Sequence, residues 1–232
     1  MAIKYLQITV LVIMVAMAAH SCGQSENGGN FTEAEKTLIH EADSIMRVLT
    51  VEDPADIFVL RSSSSDLPAE ALLSSEYKRL TELMVATVTH PSQDGVGIAG
   101  PQVGLNRRVV AVQRFDKEPV LRGDRLDYPF EVYPNVRIVW ASDSLAYGPE
   151  GCLSVPDMRG EVLRSQEIII EYADMKALSS CYPDGSEGEA AGCRQLSDCI
   201  IPTVRDTIKG FTAVIFQHEI DHLDGILYTD RL

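Results

Sequence analysis

The chain has 232 residues, 45% of them hydrophobic, and its 20 basic and 34 acidic residues give a formal net charge of −14. An apolar fraction of this size supports the packed core of one moderate domain and excludes a chain that is disordered throughout. The negative charge argues against non-specific binding to nucleic acid or anionic lipid through the globular surface, so we expect no nucleic-acid partner.

The N-terminal residues are typical of an export signal. Lys4 precedes a nearly unbroken apolar run that ends at Ala19 and is short for a membrane span. The residues that follow resemble a loose bacterial lipoprotein cleavage box, in which Cys22 becomes the acylated first residue. We therefore predict a signal peptide over 1–22, a tether over 23–31 and a membrane anchor through lipid on Cys22. The protein would lie in the cell envelope of a bacterium, outside the cytoplasm; a cytoplasmic location is the alternative.

The remaining residues, 32–232, are predicted to form a single catalytic domain with an N-terminal helical extension. Apolar spacing and turn residues predict helices over 32–49, 68–88 and 211–223, and strands over 108–113, 132–140, 167–172 and 203–208. This order favours an α+β fold in which the C-terminal helix lies buried among mostly antiparallel strands.

Residues 177–200 interrupt these patterns and are predicted to be an inserted loop. They contain three cysteines, Cys181, Cys193 and Cys199, and no apolar periodicity. In an oxidising compartment two of the three would form a disulfide, which is our prediction; three reduced thiols are the alternative.

The segment His218-Glu219-Ile220-Asp221-His222 contains the strongest chemical motif. On a helix it places two imidazoles one turn apart on one face, with a carboxylate beside the first, which is typical of a divalent-metal site with a built-in base. The alternative is a polar helix face whose imidazoles bond to backbone. Phe211, Val214 and Ile215 share that face and predict an apolar wall beside the metal.

A third metal ligand has to come from upstream, because few residues follow His222. The candidates are His40, His90, Cys152 and the loop cysteines. Cys152 is favoured, since it lies in Glu-Gly-Cys-Leu-Ser-Val-Pro, where glycine permits a sharp approach and proline fixes the exit of the chain. A small buried apolar cysteine is the alternative.

A glycine-rich segment, Gly95–Gly104, is the third candidate element. It lacks the features of a phosphate-binding loop, because no Lys-Ser/Thr pair follows it and no strand precedes it. Its small residues would instead permit close backbone approach to a peptide, and Gln102 could point an amide donor at an oxyanion.

Together these three segments resemble the peptide deformylase family, metal-dependent enzymes that remove the N-terminal formyl group from formyl-methionyl peptides. The resemblance covers about residues 55–232, although Gly100 stands where the family normally has alanine. It implies a deformylase-like fold, formyl-Met peptides or nascent-type N-termini as substrate partners, and one divalent metal, most commonly Fe²⁺, with Zn²⁺, Ni²⁺ or Co²⁺ as alternatives.

The resemblance also implies a role for individual residues. The metal ligands would be Cys152, His218 and His222, with Glu219 as the base and with Gln102 and the backbone N–H of Leu153 as oxyanion donors. The substrate contacts would be Val96, Gly97, Gly151, Arg159, Phe211, Val214 and Ile215. Asp221 and Asp224 are candidates for supporting the ligands, or are solvated helix charges.

Two other functions are compatible with parts of this pattern. The histidine motif is shared with metallopeptidases, so an exported metallopeptidase of another specificity is one alternative. A non-catalytic lipoprotein that binds formylated peptides is the other. The cysteine ligand and Gln102 argue against the first, and the complete set of expected catalytic residues argues against the second.

Overall fold

The computed structural model describes residues 29–123, 125–181 and 200–232. Its helices are α1 (Glu33–Glu41), α2 (Pro54–Leu60), α3 (Ala69–Leu72), α4 (Ser75–Val88), α5 (Met175–Cys181) and α6 (Gly210–Leu223), with 3-10 turns at Gly100–Val103 and Tyr228–Arg231. Its strands are β1 (Gly97–Ala99), β2 (Val109–Gln113), β3 (Val120–Arg122), β4 (Arg125–Asp127), β5 (Phe130–Pro134), β6 (Arg137–Ala141), β7 (Leu145–Cys152), β8 (Val155–Ser165), β9 (Glu167–Ala173) and β10 (Thr203–Lys209).

Every pairing between these strands is antiparallel. One sheet has the order β1-β2-β5 and another has the order β10-β9-β6, while β3–β4 and β7–β8 form two-stranded ribbons. The last long helix, α6, packs against β1, β2, β8 and β10. The predicted α+β fold with a C-terminal helix among mostly antiparallel strands is therefore confirmed.

Both faces of the sheet β1-β2-β5 are covered. On β2, Val109 and Ala111 belong to the core shared with α1, α3 and α4, whereas Val110 and Val112 belong to the core shared with α6. Successive strand residues point to opposite faces, so a strand between two helical layers needs an unbroken apolar run. This packing fixes α6, and the histidines on it, against the sheet whose first strand, β1, lies within the glycine-rich segment.

The first predicted helix begins as expected but is shorter. Thr32 and Glu35 form the predicted capping box, and α1 ends at Glu41. The prediction of helix over 42–49 is wrong, because this stretch uses its backbone N–H groups in tertiary bonds. Leu49 donates to the Gln102 carbonyl at 2.8 Å, and just beyond it Val51 donates to the Ser154 carbonyl at 2.9 Å.

Several other predicted elements are divided in the structure. The helix predicted over 68–88 is α3 and α4, because Ser74 caps a new helix by accepting from the Tyr77 N–H. The strand predicted over 132–140 is interrupted at Asn135, whose φ is 54° and whose side chain bonds to the Leu67 backbone on both its N–H and its carbonyl. Six elements were not predicted from the sequence at all: α2, β1, β3, β4, β7 and β8.

The predicted insertion begins as a helix, since α5 occupies 175–181. Residues 182–199, and with them two of the three cysteines of the predicted disulfide, lie outside the described residues, so that pairing stays a prediction. The predicted signal peptide over 1–22 lies outside them as well. Phe31, at the end of the predicted tether, is buried in the main core. Among the described residues, no helix has the length and hydropathy that crossing a bilayer requires.

Candidate metal centre and substrate cleft

A cleft of about 710 Å³ separates the glycine-rich segment from the turn between β7 and β8, with α6 as its floor. All the predicted substrate contacts line it: Val96, Gly97, Gly151, Arg159, Phe211, Val214 and Ile215. The predicted ligands Cys152 and His218, the predicted base Glu219, and the predicted donors Gln102 and Leu153 also line it. His222 is 1% exposed and lies beneath them. Tertiary structure thus brings residues from three distant segments to one cavity.

Cys152, His218 and His222 form the candidate metal cluster. Their ligand atoms all lie within 4.8 Å of one another, and the Cys152 Sγ is 3.1 Å from the His222 Nε2. Cys152 is brought there by a shift in the β7–β8 register directly after Gly151, a bulge that redirects the end of the strand. The histidines are adjacent because residues four apart share a helix face.

The donor set fits a divalent transition metal. Bonds of about 2.3 Å to sulfur and 2.0 Å to nitrogen would hold ligand atoms about 3–4 Å apart around one ion. The 3.1 Å between Cys152 Sγ and His222 Nε2 lies in this range, and the whole cluster lies within 4.8 Å. One thiolate and two imidazoles are ligands that Zn²⁺ and Fe²⁺ accept readily. Two of the other upstream candidates, His40 and His90, are exposed and contact Glu76 and Ser92 instead.

A buried chain of charges supports His218. Its Nδ1 lies 2.8 Å from the Glu150 carboxylate, which also accepts two bonds from Arg164 at 2.8 and 3.0 Å, and Arg164 donates to Asp221 at 2.6 Å. Burial alone would raise the pKa of Glu150, but the bonds from His218 and Arg164 outweigh it and lower the pKa to about 2. The ionised carboxylate holds the Nδ1–H of His218 and leaves Nε2 for a metal.

Glu150 and Arg164 were not predicted as site residues. Their side chains point inward from β7 and β8, but neither strand was recognised in the sequence. Of the two predicted supporting aspartates, Asp221 belongs to this network, whereas Asp224 pairs with Arg108 at 2.6 Å.

Glu219 is buried beside the cluster. Its exposure is 4%, and its Oε2 has no hydrogen-bond partner among the described residues. Burial raises the pKa of this carboxyl to about 7. A carboxyl group with that pKa, lining the cleft and with one oxygen that has no partner among the described residues, is suited to exchange protons near neutral pH.

The packing against Glu219 also explains the glycine at 97. A Cβ on Gly97 would lie 2.8 Å from the Glu219 Cδ and 2.9 Å from its Cγ, and closer still to one carboxylate oxygen. Gly97 was predicted only as a substrate contact. The structure adds that its missing side chain is what admits the carboxylate.

The amide of Gln102 is held in one orientation. Its Oε1 accepts the Ala99 N–H at 2.8 Å, so its Nε2 faces the opposite way, donating to the Ser154 Oγ at 3.2 Å and lying 3.6 Å from the Cys152 Sγ. The amide donor therefore points to the region beside the candidate ligands. Ser154 is fully buried and was not among the predicted site residues.

The sequence is similar to known proteins over most of its length. Residues 45–182 and 200–232 match the sequence model of the polypeptide deformylase family. A peptide deformylase of Leptospira biflexa is 31% identical over 189 residues, which cover 82% of this chain and 88% of that protein. Peptide deformylase 2 of Gloeobacter violaceus is 34% identical over 174 residues, covering 75% and 74%.

Solved structures show the same similarity. The chain superimposes on a class I type b peptide deformylase from Acinetobacter baumannii bound to Met-Ala-Ser with a TM-score of 0.59 and 30% identity, covering 81% of this chain and 98% of that one. A second match is the enzyme from Thermotoga maritima, with a TM-score of 0.59, 26% identity, and coverage of 82% and 99%.

Proposed function

The chain belongs to the peptide deformylase family and is a metal-dependent hydrolase that removes the formyl group from formyl-methionyl peptides, and on this premise we propose how its own residues divide the reaction. Cys152, His218 and His222 hold the metal. When bound there, a divalent ion supplies a Lewis acid that polarises oxygen and favours ionisation of water. All other contributions to the hydrolysis come from side chains and backbone groups of the chain.

Glu219 is the general base and acid. Its carboxylate accepts a proton from the attacking water and returns it to the nitrogen of the methionine as the C–N bond breaks, which releases formate and a free amine. A pKa raised by burial to about 7 suits both transfers, because the group exchanges its proton readily in either direction near neutral pH.

Gln102 and Leu153 stabilise the oxyanion that develops on the formyl carbonyl. The Nε2 of Gln102 is already oriented by the bonds to Ala99 and Ser154, so little reorganisation is needed when charge develops. The backbone N–H of Leu153 is the second donor. Preorganised donors of this type each contribute about 3 kcal/mol of transition-state stabilisation in comparable enzymes.

The substrate is proposed to bind in the cleft as an extended strand. Val96, Gly97 and Gly151 are at the edges of this cleft and pair with the peptide backbone, while Arg159 is an auxiliary contact. The methionine side chain lies against the apolar wall of α6. Ile215 is buried there, and Phe211 is 55% exposed at the mouth.

The observation that carries this assignment is the convergence of one thiol and two imidazoles beside a buried carboxylate, one oxygen of which has no hydrogen-bond partner among the described residues. Formate release from formyl-Met-Ala-Ser by metal-loaded protein tests it, with Glu219→Gln as the inactive variant and the exposed Glu161→Gln as the matched control. We expect E219Q to retain metal and lose activity, and E161Q to keep both. An active E219Q would remove the base from the mechanism, and hydrolysis of a Met-Ala bond would indicate a peptidase instead.

The metal is proposed to be Fe²⁺, with Zn²⁺, Ni²⁺ or Co²⁺ as alternatives. The mixed sulfur and nitrogen donor set supports a borderline transition metal rather than Mg²⁺ or Ca²⁺. Elemental analysis of protein purified without oxygen would identify the ion. A preparation that is fully active with bound Zn²⁺ and free of iron would contradict the assignment.

The cellular arrangement is also a proposal. A signal peptide over 1–22, a tether over 23–31 and lipid on Cys22 would carry one catalytic domain, 32–232, to the outer face of a bacterial membrane. The apolar run before Cys22 supports this, as does the family match, which begins only at residue 45. Membrane fractionation with Cys22→Ser tests it. A C22S protein that remains with the membranes would exclude the lipid anchor.

A further inference from the structure

The segment after α6, Leu227–Leu232, is called the tail here. Its 3-10 turn packs on β7 and β8, the two-stranded ribbon that carries Cys152 and Glu150. Asp230 closes the turn by accepting the Leu227 N–H at 2.9 Å, and the Leu232 side chain occupies the space where Gly160 lacks a Cβ. The tail is thus a fixed part of the wall behind the metal cluster.

Tyr228 is the first link between the tail and a candidate ligand. Its ring stacks on the His218 imidazole, with centroids 5.9 Å apart and an interplanar angle of 25°. Tyr228 is 1% exposed, and its hydroxyl has no partner among the described residues. The ring, rather than the hydroxyl, is therefore what the site uses.

Arg231 is the second link, and it acts on a different edge of the same imidazole. It donates twice to Asp221, at 2.5 and 2.5 Å, and Asp221 accepts from Arg164 at 2.6 Å. Arg164 in turn donates two hydrogen bonds to the Glu150 carboxylate, which bonds to the Nδ1 of His218. Without Arg231, Asp221 would keep its bond from Arg164 but lose both bonds from Arg231, and the chain of charges would lose the support at its outer end.

We propose that Tyr228 and Arg231 are positioning residues for the metal centre, which fix the plane and the rotation of His218 from its ring face and its Nδ1 edge. This rests on the proposed role of His218 as a ligand. Residues behind metal ligands typically change metal affinity by about 10–100-fold when they are removed, because the ligand then has to be ordered at the moment of binding.

The test is the rate at which Co²⁺ leaves the full-length protein in excess chelator, followed by its visible absorption. Tyr228→Leu removes the stacked ring and Arg231→Ala removes the outer support, so each should lose Co²⁺ about 10-fold faster or more, with an altered Co²⁺ spectrum. Tyr228→Phe keeps the ring and should behave like the parent. Arg205→Ala, which removes an exposed ion pair with Glu171 on another sheet, is the matched control.

Each outcome is informative. Parental Co²⁺ release and spectra in both Y228L and R231A would overturn the proposal. Y228F that releases Co²⁺ as fast as Y228L would also overturn it, since the hydroxyl would then matter and not the ring. If Y228L does not fold, the rates of Co²⁺ release from R231A and Y228F still test the proposal. A His222→Ala protein that binds Co²⁺ like the parent would instead refute the proposed ligand set, which separates the two failures.

Discussion

Replacing Gly97 by alanine should disable the base while leaving all three proposed metal ligands in place. The added Cβ would lie 2.8 Å from the Glu219 Cδ and closer to one carboxylate oxygen, whereas Cβ atoms in real structures essentially never come within 3.0 Å of another heavy atom. Strand β1 cannot withdraw easily, because Gly97 is paired with Val112. The buried carboxylate therefore has to move by about 1 Å to restore an ordinary contact.

A displacement of about 1 Å in a reacting group typically costs about 100-fold in rate, which corresponds to about 3 kcal/mol of transition-state stabilisation. We expect G97A to bind its metal in full and to release formate from formyl-Met-Ala-Ser with a kcat about 100-fold lower. Metal content and melting temperature are measured on the same preparation, so that a loss of metal or of fold is not mistaken for a loss of the base.

Two glycine substitutions serve as controls for this variant. A Cβ at Gly148 would meet nothing within 4 Å, and one at Gly151, inside the cleft, would meet its nearest atom at 3.6 Å, an ordinary contact. Gly148→Ala should therefore keep kcat within about twofold, and Gly151→Ala, at a proposed substrate contact, should lose much less kcat than G97A because its Cβ does not meet Glu219. The reasoning is refuted if G97A retains the parental kcat at equal metal content, or if G151A loses as much activity as G97A does.

Three further outcomes follow from the contacts of single residues. Gly100→Ala introduces the residue normal for the family and would place a Cβ 2.6 and 2.7 Å from two backbone carbonyl oxygens. The unfolding free energy should therefore fall by about 1–3 kcal/mol, and an unchanged melting temperature would contradict this. Ser154→Ala removes the acceptor that holds the Gln102 amide and should lower kcat about fivefold, a hydrogen bond of about 1 kcal/mol, while equal kcat would show that the Ala99 bond suffices. The hydrogen bond from Arg114 holds the pKa of Asp116 below its ordinary value of 3.8. The ionised Asp116 therefore stabilises the fold fully above that pH, and this stabilisation is lost as the pH falls through the lower pKa of the folded state. The stability difference between the parent and Asp116→Asn should shrink in acid, and a constant difference would be inconsistent with the shift.

Local sequence patterns determined which residues are the candidates for the chemistry. The i, i+4 spacing of His218 and His222 places both imidazoles on one face of any helix, so their adjacency could be predicted from the sequence alone. The capping box at Thr32 is equally local. The fold class followed from the order of helical and strand patterns, and the family match agrees with it.

Tertiary structure alone decided how these residues are held. The strands β7 and β8 were missed because part of each strand reverses the usual alternation of buried apolar and exposed polar residues. Glu150 and Arg164 are buried, while Tyr147 and Leu163 are exposed, which is the reverse of the usual pattern. Buried charges are stable there only because they pair with one another across strands and with Asp221.

The same distinction explains the helix that ended early. Residues 42–49 have a helical apolar pattern, but their backbone bonds to Gln102 and to other distant groups outcompete a local helix. Spacing along the chain could identify Cys152 as one of several upstream ligand candidates. Its approach to His222 depends on a bulge in β7 and on the packing of α6 against the sheet, and these are contacts between residues far apart in sequence, which no local pattern specifies.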